Sequence, residues 1–263
     1  MNIKTYTAVD SFDEAYRLLK KSKKNKILGG GAWLKLSIKE VDHLISLEKL
    51  SLDQIQVNKD YLEIGALASL RDIEINKDIL SLDGGILSQA ISNIMGITIR
   101  NLATIGGSVM GRFSFSDILP ALMVMDVELV FHHHKIVDLK TFLSSRDYLL
   151  DVLKYIRIKK QDRRSFFKKV SNTPLDFSII NMAITKGDRF NIAIGSQPGL
   201  VMLLEETMGF LNKQVKITDQ IIEEACDIAI KESNLGNNIR ASKAYRETLV
   251  RTYLKRGIKQ VTS

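Results

Sequence analysis

Apolar side chains near the N-terminus recur at helical spacing. In the stretch SFDEAYRLLKK, Phe12, Ala15 and Leu19 fall on one face of a helix. Ser11 precedes them and Glu14 follows it three residues later, which is the pattern of a capping box. The stretch therefore predicts a helix of about ten residues.

Several short segments alternate between apolar and polar residues, as half-buried strands do. HLISL and IQVNKDYLEIGA predict strands around an Asn-Lys-Asp turn, and VELVFHHHKIVDL predicts a hairpin. After about residue 160, FFKKV, DFSIINMAIT and RFNIAIGS predict three more strands, followed by mostly helical sequence.

Further helices are predicted along the chain. Ser69 with Asp72 marks one helix start, and residues 86–95 read as another helix. In the last helix, SKAYRETLVRTYLKRG, the apolar stripe includes Tyr245, Leu249 and Tyr253, and we expect the helix to stop at Gly257. Strands and helices together predict an α+β chain.

Composition indicates an ordinary soluble protein. The chain has 263 residues, 45% of them apolar and 26% charged, and at about 150 residues per domain we expect two units. It has no apolar run of the roughly 18 to 20 residues that span a membrane, and its acidic start lacks a signal-peptide apolar region. We therefore expect a cytoplasmic protein without a membrane partner.

The single cysteine, Cys226, excludes an internal disulfide and any cluster or zinc site built from several thiolates of this chain. It lies in the apolar helical stretch IIEEACDIAI, where we expect it to pack without reacting.

The net charge of +8 is concentrated in two basic clusters, KKSKKNK at 20–26 and KKQDRRSFFKK at 159–169. Such clusters attract nucleic acid in some proteins. No helix-turn-helix, zinc-finger or RNP-like pattern accompanies them, so we favour solvated loops or a contact face for an acidic subunit, and expect no nucleic acid.

Three neighbouring histidines, His132 to His134, raise the question of a metal site. In an extended segment adjacent side chains point to opposite faces, so at most His132 and His134 could converge there. No carboxylate or thiol is evidently paired with them in the sequence. We therefore interpret the three histidines as a polar hairpin tip and predict no metal site.

Two glycine-rich turns are candidates for phosphate binding. The first holds Gly29, Gly30 and Gly31, and the second holds Gly106 and Gly107 between hydroxyl residues. Glycine lets backbone N–H groups approach a ligand closely, but neither turn has the Walker or GxGxxG pattern. Each turn alone is equally compatible with an ordinary tight turn.

The stretch FSFSDILPALM follows the second turn. Ser116 or Asp117 can cap a helix there, with Pro120 in its first turn, where proline is tolerated. The sequence has no nucleophile elbow, Cys-His pair or zinc helix, so a cofactor would carry any reaction.

Four segments in this order resemble the FAD-binding subunit of the xanthine dehydrogenase and molybdenum hydroxylase family. They are ILGGGAWL, TIRNLATIGGSV, SFSDILPALMVMDVELVF and NIRASKAYRETLVRTYLKR, and the resemblance extends over nearly the whole chain. It implies a PCMH/VAO-type FAD-binding domain of two α/β subdomains at 1–160, divided near residue 54 into 1–54 and 55–160. A C-terminal domain like that of carbon monoxide dehydrogenase flavoproteins would follow at 161–263, with a small antiparallel sheet and helices.

The same resemblance implies a set of FAD-binding residues. The two glycine loops would wrap the pyrophosphate with backbone N–H groups, Asp117 would contact the cofactor, and Leu153 would lie near the flavin ring. Lys168 would lie at the flavin end, where a cation can stabilise negative charge on reduced flavin. The full predicted set is Ile27, Leu28, Gly29, Gly30, Gly31, Ala32, Trp33, Leu34, Ile94, Thr104, Ile105, Gly106, Gly107, Ser108, Ser116, Asp117, Leu153 and Lys168.

The chain departs from the family pattern at three of these positions. Ala32 stands where relatives often have Thr or Ser, and Trp33 stands where a smaller polar residue is common. Ile94 aligns with an aromatic residue that some members place over the flavin. These differences bear on the tightness of FAD binding and on the packing of the ring.

The resemblance also implies an electron relay in a heteromeric complex. A molybdopterin-binding subunit would oxidise the substrate, two-iron clusters in a small iron–sulfur subunit would carry electrons, and FAD would pass them to NAD. The alternatives are a redox-silent nucleotide- or RNA-binding protein that uses the basic clusters, and a redox-silent flavin-binding scaffold.

Overall fold

The computed structural model describes residues 1–34, 40–145 and 149–263, which divide into two compact units. The first unit comprises 1–73, 96–111 and 127–159, and the second comprises 74–95, 112–126 and 160–263. Each unit is thus assembled from separate stretches of chain, whereas the domain limits predicted from the sequence are continuous.

The first unit contains a three-stranded parallel sheet near the N-terminus. Its strands are β1 (Asn2–Ala8), β2 (Lys26–Leu28) and β3 (Glu40–Ser46), in the order β1-β3-β2. The predicted helix spans Phe12–Lys20, and its N-terminal Glu14 N–H donates to Ser11 Oγ at 3.2 Å. The buried face of this helix packs in an apolar core that also contains Ile45 of β3.

The first unit also contains a five-stranded antiparallel sheet. Its strands are β4 (Ile55–Val57), β5 (Tyr61–Gly65), β6 (Val127–Phe131), β7 (Ile136–Asp138) and β8 (Leu153–Lys159). In the sheet these strands lie in the order β4-β5-β8-β6-β7. The strand pair β4-β5 and the hairpin β6-β7 confirm the patterns of alternation in the sequence.

The second unit contains a four-stranded antiparallel sheet, β12-β11-β10-β9. The strands are β9 (Arg164–Val170), β10 (Ile180–Lys186), β11 (Phe190–Gly195) and β12 (Met202–Leu203), of which the first three confirm the prediction. A buried apolar core joins this sheet to the C-terminal helices.

The remaining helices are short except near the C-terminus. Their bounds are Leu70–Ile75, Lys77–Ser81, Ile86–Ser92, Ile97–Leu102, Ile105–Met110, Ile118–Met123, Leu139–Ser144, Glu205–Leu211, Asp219–Glu232 and Lys243–Thr262, with 3-10 turns at Glu48–Leu50 and Leu82–Gly85. The combination of these helices with the three sheets confirms the predicted α+β class.

The C-terminal helix differs from the prediction at Gly257. It continues through this glycine to Thr262 instead of stopping there. A Cβ built on Gly257 would lie 2.5 Å from Ile184 Cδ1 and 2.7 Å from Phe166 Cδ1. The glycine is therefore explained by close packing of the helix on the sheet, and not by a left-handed terminus.

The buried stripe of this helix also differs from the predicted one. Leu249 is buried, but Tyr245 is 47% exposed. The buried face includes Arg246, whose side chain donates to the carbonyl oxygens of Ile179 at 3.0 Å and Gly236 at 2.7 Å. A charged residue on the apolar face is accommodated because backbone acceptors satisfy its donors.

Cys226 is fully buried in the helix Asp219–Glu232, as the sequence predicts. Burial, together with the nearby Glu223 carboxylate, raises the pKa of the Cys226 thiol to about 11. The thiol is therefore protonated at neutral pH.

The β6-β7 hairpin tip is fixed by the buried carboxylate of Asp151. The carboxylate accepts from the backbone N–H groups of His133 at 3.0 Å, His134 at 2.8 Å and Val152 at 2.7 Å. Burial favours the neutral acid, but hydrogen bonds from His134, Val152 and His133 outweigh it and hold the pKa of Asp151 below its ordinary value. The turn is thus built around a permanent negative charge.

Several residues of the basic clusters have acidic partners. Lys24 Nζ lies 3.0 Å from Glu40 Oε2, and Arg163 makes a bidentate contact with the buried Asp83 at 2.7 and 2.9 Å. These pairings favour structural roles over a continuous nucleic-acid surface. Within the described ranges, no helix is both long and apolar enough to cross a membrane.

Candidate functional site

The first glycine loop leaves the end of β2, where Ile27 and Leu28 pair with β3. The backbone of Gly31 has φ +72°, a value that residues other than glycine rarely adopt. Within the described residues, the backbone N–H groups of Gly30, Gly31 and Ala32 donate to no acceptor. All three residues are half-buried, so the loop presents free donors close to the surface.

Trp33 and Leu34 complete this loop. Both are half-buried and both interact with other parts of the protein.

The second glycine loop forms the start of the helix Ile105–Met110. Thr104 is its N-cap, and Thr104 Oγ1 accepts from the N–H of Gly107 at 3.2 Å. The N–H of Ile105 donates to Ala68 O at 3.1 Å. The N–H of Gly106 donates to Ala66 O at 2.9 Å, and the N–H of Ser108 donates to Thr104 O at 3.0 Å.

The amides of residues 105–108 thus already have acceptors in the protein. The expectation that both loops bind a pyrophosphate through free backbone N–H groups does not match this geometry at the second loop. The cause is that the second loop begins a helix, whose first N–H groups are taken by a cap and by the neighbouring turn after β5.

The two loops lie side by side in the first unit. A Cβ built on Gly29 would lie 2.8 Å from Thr104 Oγ1 and 3.5 Å from Gly107 Cα. A Cβ built on Gly30 would lie 1.5 Å from Leu102 O. Side chains at these positions would separate the loops, so the glycines allow the two loops to lie this close together.

Leu153 lies in the same unit as the two loops. It is the first residue of β8, is 4% exposed and pairs with Phe131. The next residue, Lys154, accepts through its carbonyl from Ala66 N at 2.9 Å, and Ala66 packs against Gly106. Leu153 is therefore connected to the second loop through one intervening turn.

Four other predicted site residues belong to the second unit. Ile94 follows the helix Ile86–Ser92, which ends earlier than the predicted Met95, and is half-buried. Ser116 Oγ accepts from Leu119 N at 3.3 Å and so caps the helix Ile118–Met123. Asp117 occupies the N-cap position but makes no capping hydrogen bond.

Asp117 is instead the centre of a buried polar cluster. Its carboxylate accepts from Asn181 Nδ2 at 2.7 Å and from Ser178 Oγ, and it lies 3.1 Å from Lys169 Nζ. Lys169 also donates to Asn93 O at 2.9 Å. With these partners, Asp117 is satisfied within the protein and links residues 112–126 to β9 and β10.

Sequence reasoning selected Lys168 and missed its neighbour Lys169. The two residues point to opposite faces of β9. Lys168 is exposed, with Nζ 5.5 Å from the Tyr253 ring centre, whereas the Lys169 side chain is 4% exposed. The sequence FFKKV contains the alternation, but it does not show which face meets Asp117.

Comparison with known proteins matches two families in sequence. Residues 1–154 match the FAD binding domain in molybdopterin dehydrogenase, and residues 165–261 match the CO dehydrogenase flavoprotein C-terminal domain. Among curated relatives, the uncharacterized protein YgfM of Escherichia coli K12 is 26% identical over 250 residues, covering 93% of this chain and 91% of the relative. The glyceraldehyde dehydrogenase medium chain of Sulfolobus acidocaldarius is 22% identical over 279 residues, with 98% of each chain covered.

Solved structures share the fold over almost the full length. A chain of carbon monoxide dehydrogenase from Hydrogenophaga pseudoflava matches with TM-score 0.89 at 20% identity, covering 99% of this chain and 97% of that one. A chain of quinoline 2-oxidoreductase from Pseudomonas putida 86 matches with TM-score 0.84 at 18% identity, covering 98% and 96%.

The first family match covers more than half of the chain, and the second covers nearly all of the remainder. The chain therefore belongs to the family of FAD-binding subunits of molybdenum hydroxylases, with a C-terminal domain of the CO dehydrogenase flavoprotein type.

Proposed function

We propose that this chain is the flavin-carrying electron-transfer subunit of a xanthine dehydrogenase-like complex, and that it transfers electrons from a partner's iron–sulfur clusters to NAD. The observation that carries the proposal is the close approach of the two glycine loops, one of which has three N–H groups without an acceptor among the described residues. FAD, when bound, supplies a ring that takes up and releases electrons.

The first loop fits the pyrophosphate of FAD in two respects. Gly30, Gly31 and Ala32 offer N–H groups without acceptors in the described chain. At Gly31 the absence of a side chain leaves the donors accessible to an anion, since Leu28 Cδ1 at 3.4 Å is the nearest atom to its Cβ position among the described residues. In this proposal the first loop donates to the phosphates. Gly107 lies beside this loop without a side chain, and Gly106 packs against Ala66 and holds the second loop in place.

The remaining predicted site residues keep their proposed places near the cofactor. Leu153 and Ile94 would supply apolar surface to the flavin ring, and Ser116 and Asp117 would order the segment that approaches it. Lys168 has an exposed ammonium group, and we propose that this group stabilises negative charge on the reduced ring.

The chemistry of this chain and the names of its relatives support a heteromeric complex. A two-iron cluster needs four thiolate ligands in its usual form, and this chain has one cysteine, which is buried and protonated. The Sulfolobus relative is a medium chain, and solved relatives are oxidoreductases. We propose an iron–sulfur subunit and a molybdopterin-binding subunit as partners, in a cytoplasmic complex.

The test is a titration of the purified full-length chain with FAD, followed by NADH without oxygen. We expect saturable FAD binding, seen by quenching of flavin fluorescence, and then loss of the visible flavin absorbance on adding NADH. Bleaching by dithionite but not by NADH would contradict NAD as the acceptor and leave FAD binding intact. Failure to bind FAD would overturn the proposal as a whole.

Lys168→Met tests the role of the lysine. We expect NADH-driven bleaching to slow by about tenfold, which corresponds to about 1.4 kcal/mol, with FAD affinity nearly unchanged. Lys213→Met is the matched control, because Lys213 is also exposed and lies outside the predicted site. Equal rates in both variants would remove Lys168 from the proposal.

The proposed partners can be tested in the source cells. Purified through a tag without histidines, the chain should carry iron and molybdenum in fixed proportion to flavin, measured by elemental analysis. Flavin without either metal would contradict the complex.

A further inference from the structure

The tip of the β6-β7 hairpin brings together a different pair of histidines from the one expected in an extended segment. His132 and His133 have ring centroids 4.4 Å apart. The alternation argument fails here because residues 132–135 form a turn, in which Lys135 has φ +57°. The expected pair, His132 and His134, is not the one that converges.

The buried Asp151 carboxylate directs this arrangement. Besides binding the backbone of the turn, it lies 2.7 Å from His134 Nδ1. This contact engages the His134 ring with Asp151, while the rings of His132 and His133 lie against each other.

The helix Phe12–Lys20 places a carboxylate next to these two rings. Asp13 Oδ1 lies 2.7 Å from His132 Nε2, and one ligand atom from each of Asp13, His132 and His133 lies within 4.8 Å of the other two. The Tyr16 ring contacts the His133 ring at a tilt of 45° with centroids 3.9 Å apart, and the Phe12 centroid lies 5.7 Å from that of His132. The aromatic contacts limit the freedom of both histidine rings.

The three groups have the chemistry of a transition-metal site. Imidazole nitrogen suits zinc, copper and nickel, and carboxylate oxygen is a common third ligand. Ligands at roughly 2.0–2.1 Å in a tetrahedron lie about 3.4 Å apart. The ligand atoms lie within 4.8 Å of one another, so the cluster needs to contract by at most about 1.4 Å to reach this spacing. The exposed side chains of Asp13 and His133 can make this movement.

We propose that Asp13, His132 and His133 bind one divalent transition-metal ion, with Zn²⁺ as the representative ion and water as the fourth ligand. Both histidines belong to the β6-β7 hairpin, whereas Asp13 belongs to the N-terminal helix. The ion would therefore join two elements of the first unit that are far apart in sequence. The site is independent of the flavin loops, and nothing in its chemistry requires FAD.

The test is calorimetric titration of the full-length chain with Zn²⁺ after removal of any histidine tag, without FAD present. We expect one ion per chain with micromolar affinity. Saturating Zn²⁺ at a hundredfold excess over Kd should raise the melting temperature by about 5 °C. Co²⁺ should give the visible absorption of a low-symmetry nitrogen and oxygen site.

The variants His132→Gln and His133→Gln should each weaken Zn²⁺ binding at least tenfold, and Asp13→Asn should weaken it less. His43→Gln is the matched control, since His43 bonds to Thr7 on the parallel sheet, and its Zn²⁺ affinity should not change. His134→Gln should remain within about twofold of the wild type.

Three results would overturn the proposal. They are binding that survives His133→Gln, equal losses in the His134 and His133 variants, and a large loss in the His43 control. Because His133 is exposed, its variant should keep the melting temperature of the metal-free protein, which separates loss of ligand from loss of fold.

Discussion

The two glycine loops of the first unit look alike in sequence but differ in their backbone hydrogen bonds. In the first loop, Gly30, Gly31 and Ala32 have no acceptor among the described residues, whereas all four amides of residues 105–108 in the second loop have one. Glycine therefore serves two purposes in adjacent positions of one site. Gly30 and Gly106 permit close contact with the backbone of neighbouring segments, whereas Gly31 adopts the left-handed φ of the loop that carries the free donors.

Gly30→Ala should have the largest effect. Its Cβ would lie 1.5 Å from Leu102 O, a backbone atom that cannot rotate away. We expect the free energy of unfolding to fall by about 4 kcal/mol or more, measured by urea denaturation. An unchanged midpoint would show that the two loops are not in contact.

Gly106→Ala should come next. Its Cβ would lie 2.5 Å from Ala66 O and 2.8 Å from Ala66 Cβ, and such overpacking costs about 1–3 kcal/mol. At temperatures where the variant is folded, FAD affinity should stay within a few fold of the wild type, because this loop does not supply the proposed donors. A large selective loss of FAD affinity would reverse the roles assigned to the two loops.

Gly31→Ala tests the free donors. The nearest atom to its Cβ is Leu28 Cδ1 at 3.4 Å, so the cost comes from the left-handed φ and amounts to about 1–2 kcal/mol. We expect FAD affinity to fall about tenfold, equivalent to about 1.4 kcal/mol, because the donors are redirected. Fluorescence titration measures this change, and unaltered affinity would argue against the first loop as the phosphate site.

Thr104→Val removes the cap of the second loop. The variant should lose about 1 kcal/mol of stability, and FAD affinity should change because the freed Gly107 amide faces the first loop. Thr218→Val is the matched control, since Thr218 caps the helix Asp219–Glu232 by accepting from Ile221 N at 3.3 Å. The control should lose the same stability with no change in FAD affinity.

Gly209→Ala should have the smallest effect, with the opposite sign. This glycine lies inside the helix Glu205–Leu211, and no atom lies within 4 Å of its added Cβ. We expect a gain of about 0.5–1 kcal/mol from reduced backbone freedom. If Gly209→Ala destabilised the protein, the space around an added Cβ would not explain the stability effects of glycine-to-alanine substitutions in this chain.

Features that depend on neighbours in sequence were the most predictable. The cap formed by Ser11 on Glu14 and the one formed by Ser69 on Asp72 each span three residues. Strand alternation in β9, β10 and β11 was also predictable because it depends on a period of two.

Features that depend on distant contacts were not predictable in the same way. Gly257 resembles a helix stop in sequence, yet its reason is the position of Phe166 and Ile184 in another part of the chain. Asp117 resembles a helix cap, yet its partners Lys169 and Asn181 lie more than fifty residues away. Composition and spacing contain no record of these pairings.

The burial of Cys226 has a practical consequence for measuring distances in this protein. With its pKa raised to about 11, only about one thiol in ten thousand is ionised at neutral pH, so maleimide and methanethiosulfonate reagents should not modify it. Cysteines introduced at the exposed positions Lys59 and Lys213 would put one spin label in each compact unit. Electron–electron resonance could then measure the distance between the two labels, with the native cysteine left in place.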